Sequence, residues 1–360
     1  MFRWFKTQLD KINSPKLDWI QVEVTTCCNS SCIYCPHTLM GSRLKNMHMS
    51  LDLFLKLIPF IRYTKLIYLQ GWGEPLLNQE IFEMIRICKD NGKSVGLTTN
   101  GMLLSEEIIR KLIDLKVDIL GISLAGTRAT THNKIRQGTD FNEIISNLDK
   151  LSAMKCEAGS HVPALHLAYI MLTSNFHEIK EIVPIAKRLG VRQIILSNLS
   201  LILDPELCSE AVFNDSDRAD YYSKSLETTK ALAEREGIVF EYNGPVLNDS
   251  SQHCTENVCN SCVINAEGEV LPCVFLNPLL CTYLDSGGKE PAGYVFKNES
   301  YPLEGFSFGN IRHDSFTRIW QCSRYAAFRD LFKYAALMES RYFMSDLPNR
   351  CMNCYKRLLA

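Results

Sequence analysis

The sequence predicts an α/β protein on a parallel sheet with a smaller cysteine-rich region after it. Three observations carry this: β-branched apolar runs alternate with amphipathic stretches as far as about residue 200, each run ends in a polar or glycine-containing turn, and the alternation stops near residue 250. The strand candidates are "DWIQVEVTT" (18–26), "KLIYLQGWG" (65–73), "SVGLTTNG" (94–101), "DILGISLAG" (118–126), "ALHLAYIML" (164–172) and "RQIILSNLS" (192–200). Helical patterns lie between them at about 51–62, 79–91, 105–116, 141–154 and 176–189. Ser50, Asn78 and Ser105 stand where N-caps are expected, each before an acidic or amide first turn. Strands alternating with helices imply right-handed crossovers and a sheet that is open or rolled into part of a barrel. Chemistry in such folds gathers at the carboxyl ends of the strands.

A long helix at about 216–236 and a short strand in "IVFEYNG" close this part. The turn-rich "NGPVLNDSS" suggests a division near 245–252, giving an N-terminal extension 1–16, a core 17–248 and a cysteine-rich region 249–360.

Composition narrows the function. Apolar residues make up 46% and charged residues 22%, with a formal net charge of -1, so neither disorder nor nucleic-acid binding is expected. The amino terminus "MFRWFKTQLDKINSPKL" breaks its aromatic residues with charges, unlike a signal peptide, and no run of about 18 apolar residues suggests a membrane span. A cytosolic protein is the expectation. Fifteen cysteines then need a reason, because cytosolic thiols stay reduced and clustered ones usually hold metal. Cys88 and Cys156 stand alone and read as packing or inert thiols.

The stretch "TTCCNSSCIYCPHT" places Cys28, Cys32 and Cys35 in C-x3-C-x2-C spacing, with Tyr34 before the last. Three thiolates on one loop can bind three irons of a cubic 4Fe-4S cluster and leave the fourth iron open. A zinc site is the alternative, with Cys27 as fourth ligand.

This loop after a first strand resembles the radical S-adenosylmethionine (SAM) superfamily. "QGWGEP" is similar to that family's glycine-glycine-glutamate motif for the SAM amino group, through Gly71, Gly73 and Glu74. Trp72 stands where the family often has a small residue. "TTNG", with Asn100, recurs in the family at the third strand's end, and "ISLAG" with "THNKIRQG" resembles its ribose-contacting serine strand and carboxylate-binding arginine, here Ser123 and Arg136. The resemblance covers about residues 17–200. It implies a partial (β/α)6 barrel of TIM-like build, reductive cleavage of SAM at the open iron to a 5'-deoxyadenosyl radical, and hydrogen abstraction from a substrate. An electron donor such as flavodoxin or ferredoxin is implied as partner. Shielding so reactive an intermediate calls for an enclosing cavity.

The tail holds a second cysteine group. Cys254, Gly268 and Cys273 read C-x13-G-x4-C, and Cys351 with Cys354 forms a closing C-x2-C. Such a set suits a fully ligated cluster or a zinc ribbon. Beside the first motifs it resembles the twitch and SPASM auxiliary-cluster extensions, with "FGNIRHDSFTRIW" matching their segment before the last cysteines. At least one auxiliary 4Fe-4S cluster is implied, the shorter twitch form fitting best because the chain ends six residues after Cys354. Cys259 and Cys262 form another C-x2-C that could replace or join Cys254, whereas Cys281 and Cys322 read as packing. Relatives of this kind act on peptides or small metabolites by oxidation, epimerisation or crosslinking. With the first strand about 17 residues in, a leader-binding domain is expected to be absent or encoded elsewhere. The histidines at 37, 132, 161 and 166 are scattered, so no acid or base is assigned.

Overall fold

The computed structural model describes residues 16–249, 251, 254–281, 293–338 and 347–359. The expected N-terminal extension lies outside them apart from Lys16.

All six expected strands form: β1 (Leu17–Val22), β2 (Thr64–Leu69), β3 (Ser94–Thr99), β4 (Ile119–Leu124), β5 (Ala164–Met171) and β6 (Gln193–Asn198). They pair side by side and parallel in chain order, and β7 (Val239–Tyr242) adds parallel to β6. The core side of the sheet is built from Ile20, Ile67, Val95, Leu97, Leu120, Ile122, Leu167 and Ile194, each 0 or 1% exposed. Burial on this scale is the main force holding the crossover helices to the sheet. Among the described residues no helix is long and apolar enough to cross a membrane.

Local chemistry sets the helix ends. Ser50 and Ser105 cap as expected, accepting from the backbone N–H of Leu53 and of Ile108, both at 3.3 Å. Asn78 does more, its Oδ1 accepting from Glu80 N–H at 3.0 Å as a cap would. Its buried side chain donates to the carbonyls of Val24 (2.8 Å) and Met49 (3.1 Å), and the following helix begins at Ile81. Asn78 therefore ties the end of β1 to the β2 turn. The pattern at 51–62 is split into Leu51–Leu55 and Ile58–Ile61, with Pro59 in the second piece where it can only begin a helix. At 176–189 a 3-10 turn, Phe176–Glu181, precedes the α-helix Ile182–Arg188.

The cysteine-rich region continues the same sheet. Strand β8 (Ser261–Ile264) lies parallel to the free edge of β1, with Trp19 opposite Ser261 and Val22 opposite Ile264, and β9 (Val270–Leu271) pairs antiparallel to β8. The sheet thus has nine strands in the order β9-β8-β1-β2-β3-β4-β5-β6-β7. A hairpin of β10 (Gly293–Phe296) and β11 (Glu299–Pro302) reaches the loop after β6 through Val295 N–H to Ile202 O at 2.7 Å. Tyr355 packs between Phe213 (4.4 Å between ring centres) and Phe296 (4.9 Å), which fastens the C-terminal segment beside the barrel.

Two of the scattered histidines are structural. His132 Nδ1 accepts from Ala125 N–H at 3.3 Å and its Nε2 meets Thr139 Oγ1 at 3.1 Å. Burial, helped by the Arg136 charge, pulls His132 down to about 3, and burial takes His166 to about 4. Both stay neutral in the fold while the unfolded chain protonates near the ordinary value of 6.5. Their contribution is therefore fully present above pH 6.5 and lost as the pH falls toward 4 and 3. Urea denaturation followed by circular dichroism should show the midpoint falling across this window, with a shallower fall in His166→Gln.

Candidate active site

The cysteine loop leaves the carboxyl end of β1 and is pinned from three sides. Ser31–Cys32 pairs antiparallel with Arg136–Gln137, placing Cys32 opposite Arg136, and Ile33 N–H donates to Ile135 O at 3.0 Å. Thr26 Oγ1 donates to Lys45 O at 2.6 Å and accepts from Met47 N–H at 2.9 Å. Asn100 Nδ2 donates to Asn29 Oδ1 at 2.7 Å.

Within this frame Ser30 Oγ lies 3.2 Å from Cys28 Sγ and 3.7 Å from Cys32 Sγ, and Cys35 feels the charges of both other thiols. Ser30 thus sits between the thiols of Cys28 and Cys32. Burial raises Cys28 and takes Cys35 to about 12, so each would give up a proton only to a strong electrophile such as iron. Cys27 turns away, its Sγ directed at Met47 O at 3.9 Å. Among the described residues no three His, Cys, Asp or Glu side chains are gathered to hold a single metal ion.

The glycine-rich turn after β2 is tightly packed. A Cβ on Gly73 would sit 2.5 Å from the carbonyl oxygens of both Thr25 and Cys27, and one on Gly71 would sit 2.2 Å from Glu23 Cγ. Both close approaches are to the protein's own chain. Glu74 is 2% exposed, and its carboxylate accepts from Asn100 N–H at 2.7 Å and Leu76 N–H at 3.2 Å. Burial raises its pKa against these hydrogen bonds. Gly71, Gly73, Glu74 and Asn100 therefore form the brace behind the cysteine loop.

A cavity of about 300 Å³ opens in front of it at the carboxyl ends of the strands. Tyr34, Cys35, Trp72, Ser123 and Arg136 all line it. Arg136 is 9% exposed and donates to Tyr34 OH, while its Nε is buried with no hydrogen-bond partner among the described residues. An unpaired buried guanidinium N–H costs about 1–3 kcal/mol, so it fits an anionic ligand group absent from the protein itself. Charges on Tyr34, Cys32 and Cys35 outweigh burial and raise the Arg136 pKa.

Sequence reasoning missed part of the wall. Gln21 lies next to the last residue of β1, Gln70 just follows β2, Asn198 ends β6, and Phe275, Glu256 and Lys356 come from the cysteine-rich region. The polar residues at strand ends were visible as breaks in apolar runs. Glu256 and Lys356 were not, since they are 100 positions apart and meet only in the fold, at 2.8 Å.

Behind Phe275, Glu256 and Lys356 lies a second space, where Cys254, Cys273, Cys351 and Cys354 meet. Cys254, Cys273 and Cys351 each feel the charge of at least one other thiol of the set, and burial raises all four, Cys273 to about 12. Cys259 and Cys262 do not join them. Cys262 is buried on β8, and Cys259 Sγ faces Arg329 O at 3.6 Å, because the strand carries both toward the helix Ser323–Met338. Cys281 and Cys322 also lie outside the set, Cys322 Sγ accepting from Tyr325 N–H at 3.4 Å.

Comparison with known proteins agrees with this geometry. Residues 22–184 match the model of the radical SAM superfamily, and residues 254–355 match that of the SPASM iron-sulfur cluster-binding domain. The tungsten-containing aldehyde ferredoxin oxidoreductase cofactor-modifying protein of Pyrococcus furiosus is 29% identical over 327 residues, 88% of this chain and 84% of that protein. The fold is shared with Streptococcus suis SuiB bound to precursor peptide SuiA, at a TM-score of 0.60 and 13% identity, covering 99% of this chain and 74% of SuiB. It is also shared with anSMEcpe bound to AdoMet, at a TM-score of 0.59 and 15% identity, covering 87% and 83%.

The chain belongs to the radical SAM superfamily and carries a SPASM domain after its barrel. Its cofactors are accordingly SAM with a 4Fe-4S cluster in the first domain and auxiliary iron-sulfur in the second.

The tight passage at Gly73 yields a test. Gly73→Ala must push Thr25 and Cys27 aside, with an expected cost of about 1–3 kcal/mol. Thermal denaturation should show that loss, and bound iron after anaerobic reconstitution should fall with it.

Proposed function

We propose that this enzyme abstracts a hydrogen atom from a peptide or small-metabolite substrate to oxidise, epimerise or crosslink it, with Cys28, Cys32 and Cys35 holding the cluster. The observation that carries the reading is a shared wall: the cavity beside Cys35 and Arg136 and the space among the four C-terminal thiols meet at Phe275, Glu256 and Lys356. When bound, the cluster and SAM supply a 5'-deoxyadenosyl radical by reductive cleavage at the open iron.

The chain's own residues organise the rest. Arg136 receives the methionyl carboxylate through its unpaired Nε, and Tyr34 orients the guanidinium. Ser123, on β4, is placed to meet the ribose, and Glu74 with Asn100 holds the turn that faces the SAM amino group. Trp72 stacks on Phe275, 6.1 Å between centres and 14° from parallel, closing the cavity with apolar surface against water. Cys254, Cys273, Cys351 and Cys354 ligate an auxiliary 4Fe-4S cluster beyond that wall.

Two kinds of substrate find support. The Pyrococcus furiosus relative modifies a cofactor, and SuiB binds a precursor peptide. Oxidative chemistry in the cytosol, fed by a flavodoxin or ferredoxin, completes the reading.

Anaerobically reconstituted protein should be brown, hold roughly eight iron and eight sulfide, and release 5'-deoxyadenosine from SAM on reduction. The Cys28/Cys32/Cys35→Ala variant should lose one cluster and all cleavage; continued cleavage would refute the assignment, and a colourless protein with two zinc ions would leave a structural metal protein instead. Arg136→Met should weaken SAM binding by roughly ten- to a hundredfold in equilibrium dialysis, the worth of a charge-assisted hydrogen bond of about 1.5–3 kcal/mol.

A further inference from the structure

The space among the four C-terminal thiols is electrically one-sided. Arg350, Lys356 and Arg357 line it, and Glu256 is the single carboxylate there among the described residues. Val258, Phe275, Leu276, Phe328 and Phe332 make the rest of the wall apolar, so charges act across it at low dielectric.

Arg350 is the notable member. It is 3% exposed and immediately precedes Cys351. Its guanidinium carbon sits 3.3 Å from the centre of the Tyr294 ring, which fixes the plane of the group. Its charge reaches both Cys351 and Cys354. Nε and Nη2 are both buried with no hydrogen-bond partner among the described residues. Two buried donors without acceptors are expensive to keep unless an acceptor arrives with a ligand. Lys356 stands two residues after Cys354, with its backbone N–H toward that sulfur and its ammonium 2.8 Å from Glu256. Arg357 is otherwise engaged, donating to Ser251 O at 3.0 Å and Met352 O at 3.3 Å.

We infer that Arg350 and Lys356 are positioning residues that raise the reduction potential of the auxiliary cluster, poising it to take an electron from the cavity side. The inference rests on the reading above that these four thiols hold a cluster. A cube bound by four thiolates is negative when oxidised and gains one more negative charge on reduction. Burial among aromatic rings disfavours that added charge, and fixed cations and hydrogen bonds to sulfur favour it. Arg350 supplies a cation together with two free donors, Lys356 a second cation, and Glu256 opposes them. The electron received is the one left on substrate carbon once its hydrogen has gone to the deoxyadenosyl fragment. The accompanying proton leaves to solvent, so the substrate loses two electrons and two protons in all while the cluster gains one electron.

The test needs no substrate. In full-length Cys28/Cys32/Cys35→Ala protein, reconstituted anaerobically so that only the auxiliary cluster remains, its midpoint potential is read by electron paramagnetic resonance during a redox titration. Arg350→Gln and Lys356→Met should each lower the midpoint, Glu256→Gln should raise it, and Arg350→Lys should keep most of the parent value. Unchanged or higher potentials in Arg350→Gln and Lys356→Met at full iron content overturn the inference. Should Arg350→Gln fail to take up iron, Lys356→Met and Glu256→Gln decide: opposite shifts support it, and shifts of one sign or none overturn it. Absence of iron from the triple-alanine parent itself defeats the auxiliary-cluster reading and this inference with it, and is told apart by iron and sulfide analysis before any titration.

Discussion

Glu23, just past the end of β1, receives hydrogen bonds from two distant parts of the chain. Its carboxylate accepts from Trp72 N–H at 3.0 Å in the glycine-rich turn, from Asn277 Nδ2 at 3.1 Å and from Ala266 N–H at 3.4 Å in the cysteine-rich region. The residue is 1% exposed, and burial raises its pKa against these donors. A buried carboxylate is tolerated only when its lone pairs are filled, and each hydrogen bond to a charged group is worth about 1.5–3 kcal/mol. The turn that braces the cysteine loop and the region with the second thiol set are thus anchored on one side chain. Gly71 exists to make room for it, since any Cβ there would collide with Glu23.

The same economy appears in the sheet. Adding β8 to the edge of β1 places the cysteine-rich region beside the strand that launches the first cysteine loop. The segment after β9 then brings Cys273 and Phe275 to the barrel mouth, and Tyr355 fastens the last cysteines there. Two thiol sets far apart in sequence end on either side of one aromatic and charged wall. That wall bounds the cavity on the side of the cysteine-rich region.

Much of this was legible beforehand. Strand positions followed from β-branched apolar runs, because fully buried parallel strands leave few other options for such residues. The grouping of the thiols at 28, 32 and 35 on one loop was legible because it is a local feature of the chain. Other features were not legible, for identifiable reasons. Asn78 is legible as the residue before a helix, but not that its Nδ2 also serves two buried carbonyls of distant segments. The close approaches of Gly71 to Glu23 and of Gly73 to the cysteine loop were not legible, since their partners lie far off in sequence. Spacing alone could not separate Cys254 from Cys259 and Cys262, since all three precede β9 and only the path of β8 divides them.

By itself the sequence determined the parallel α/β core, the thiol loop and the presence of a second thiol set, because each depends on residue type within a short window. Tertiary structure decided which thiols meet, that Arg136 pairs beside Cys32, and that Glu256 and Lys356 close the cavity. These depend on chain segments a hundred or more positions apart, and their proximity is set by strand order and packing that no local pattern records.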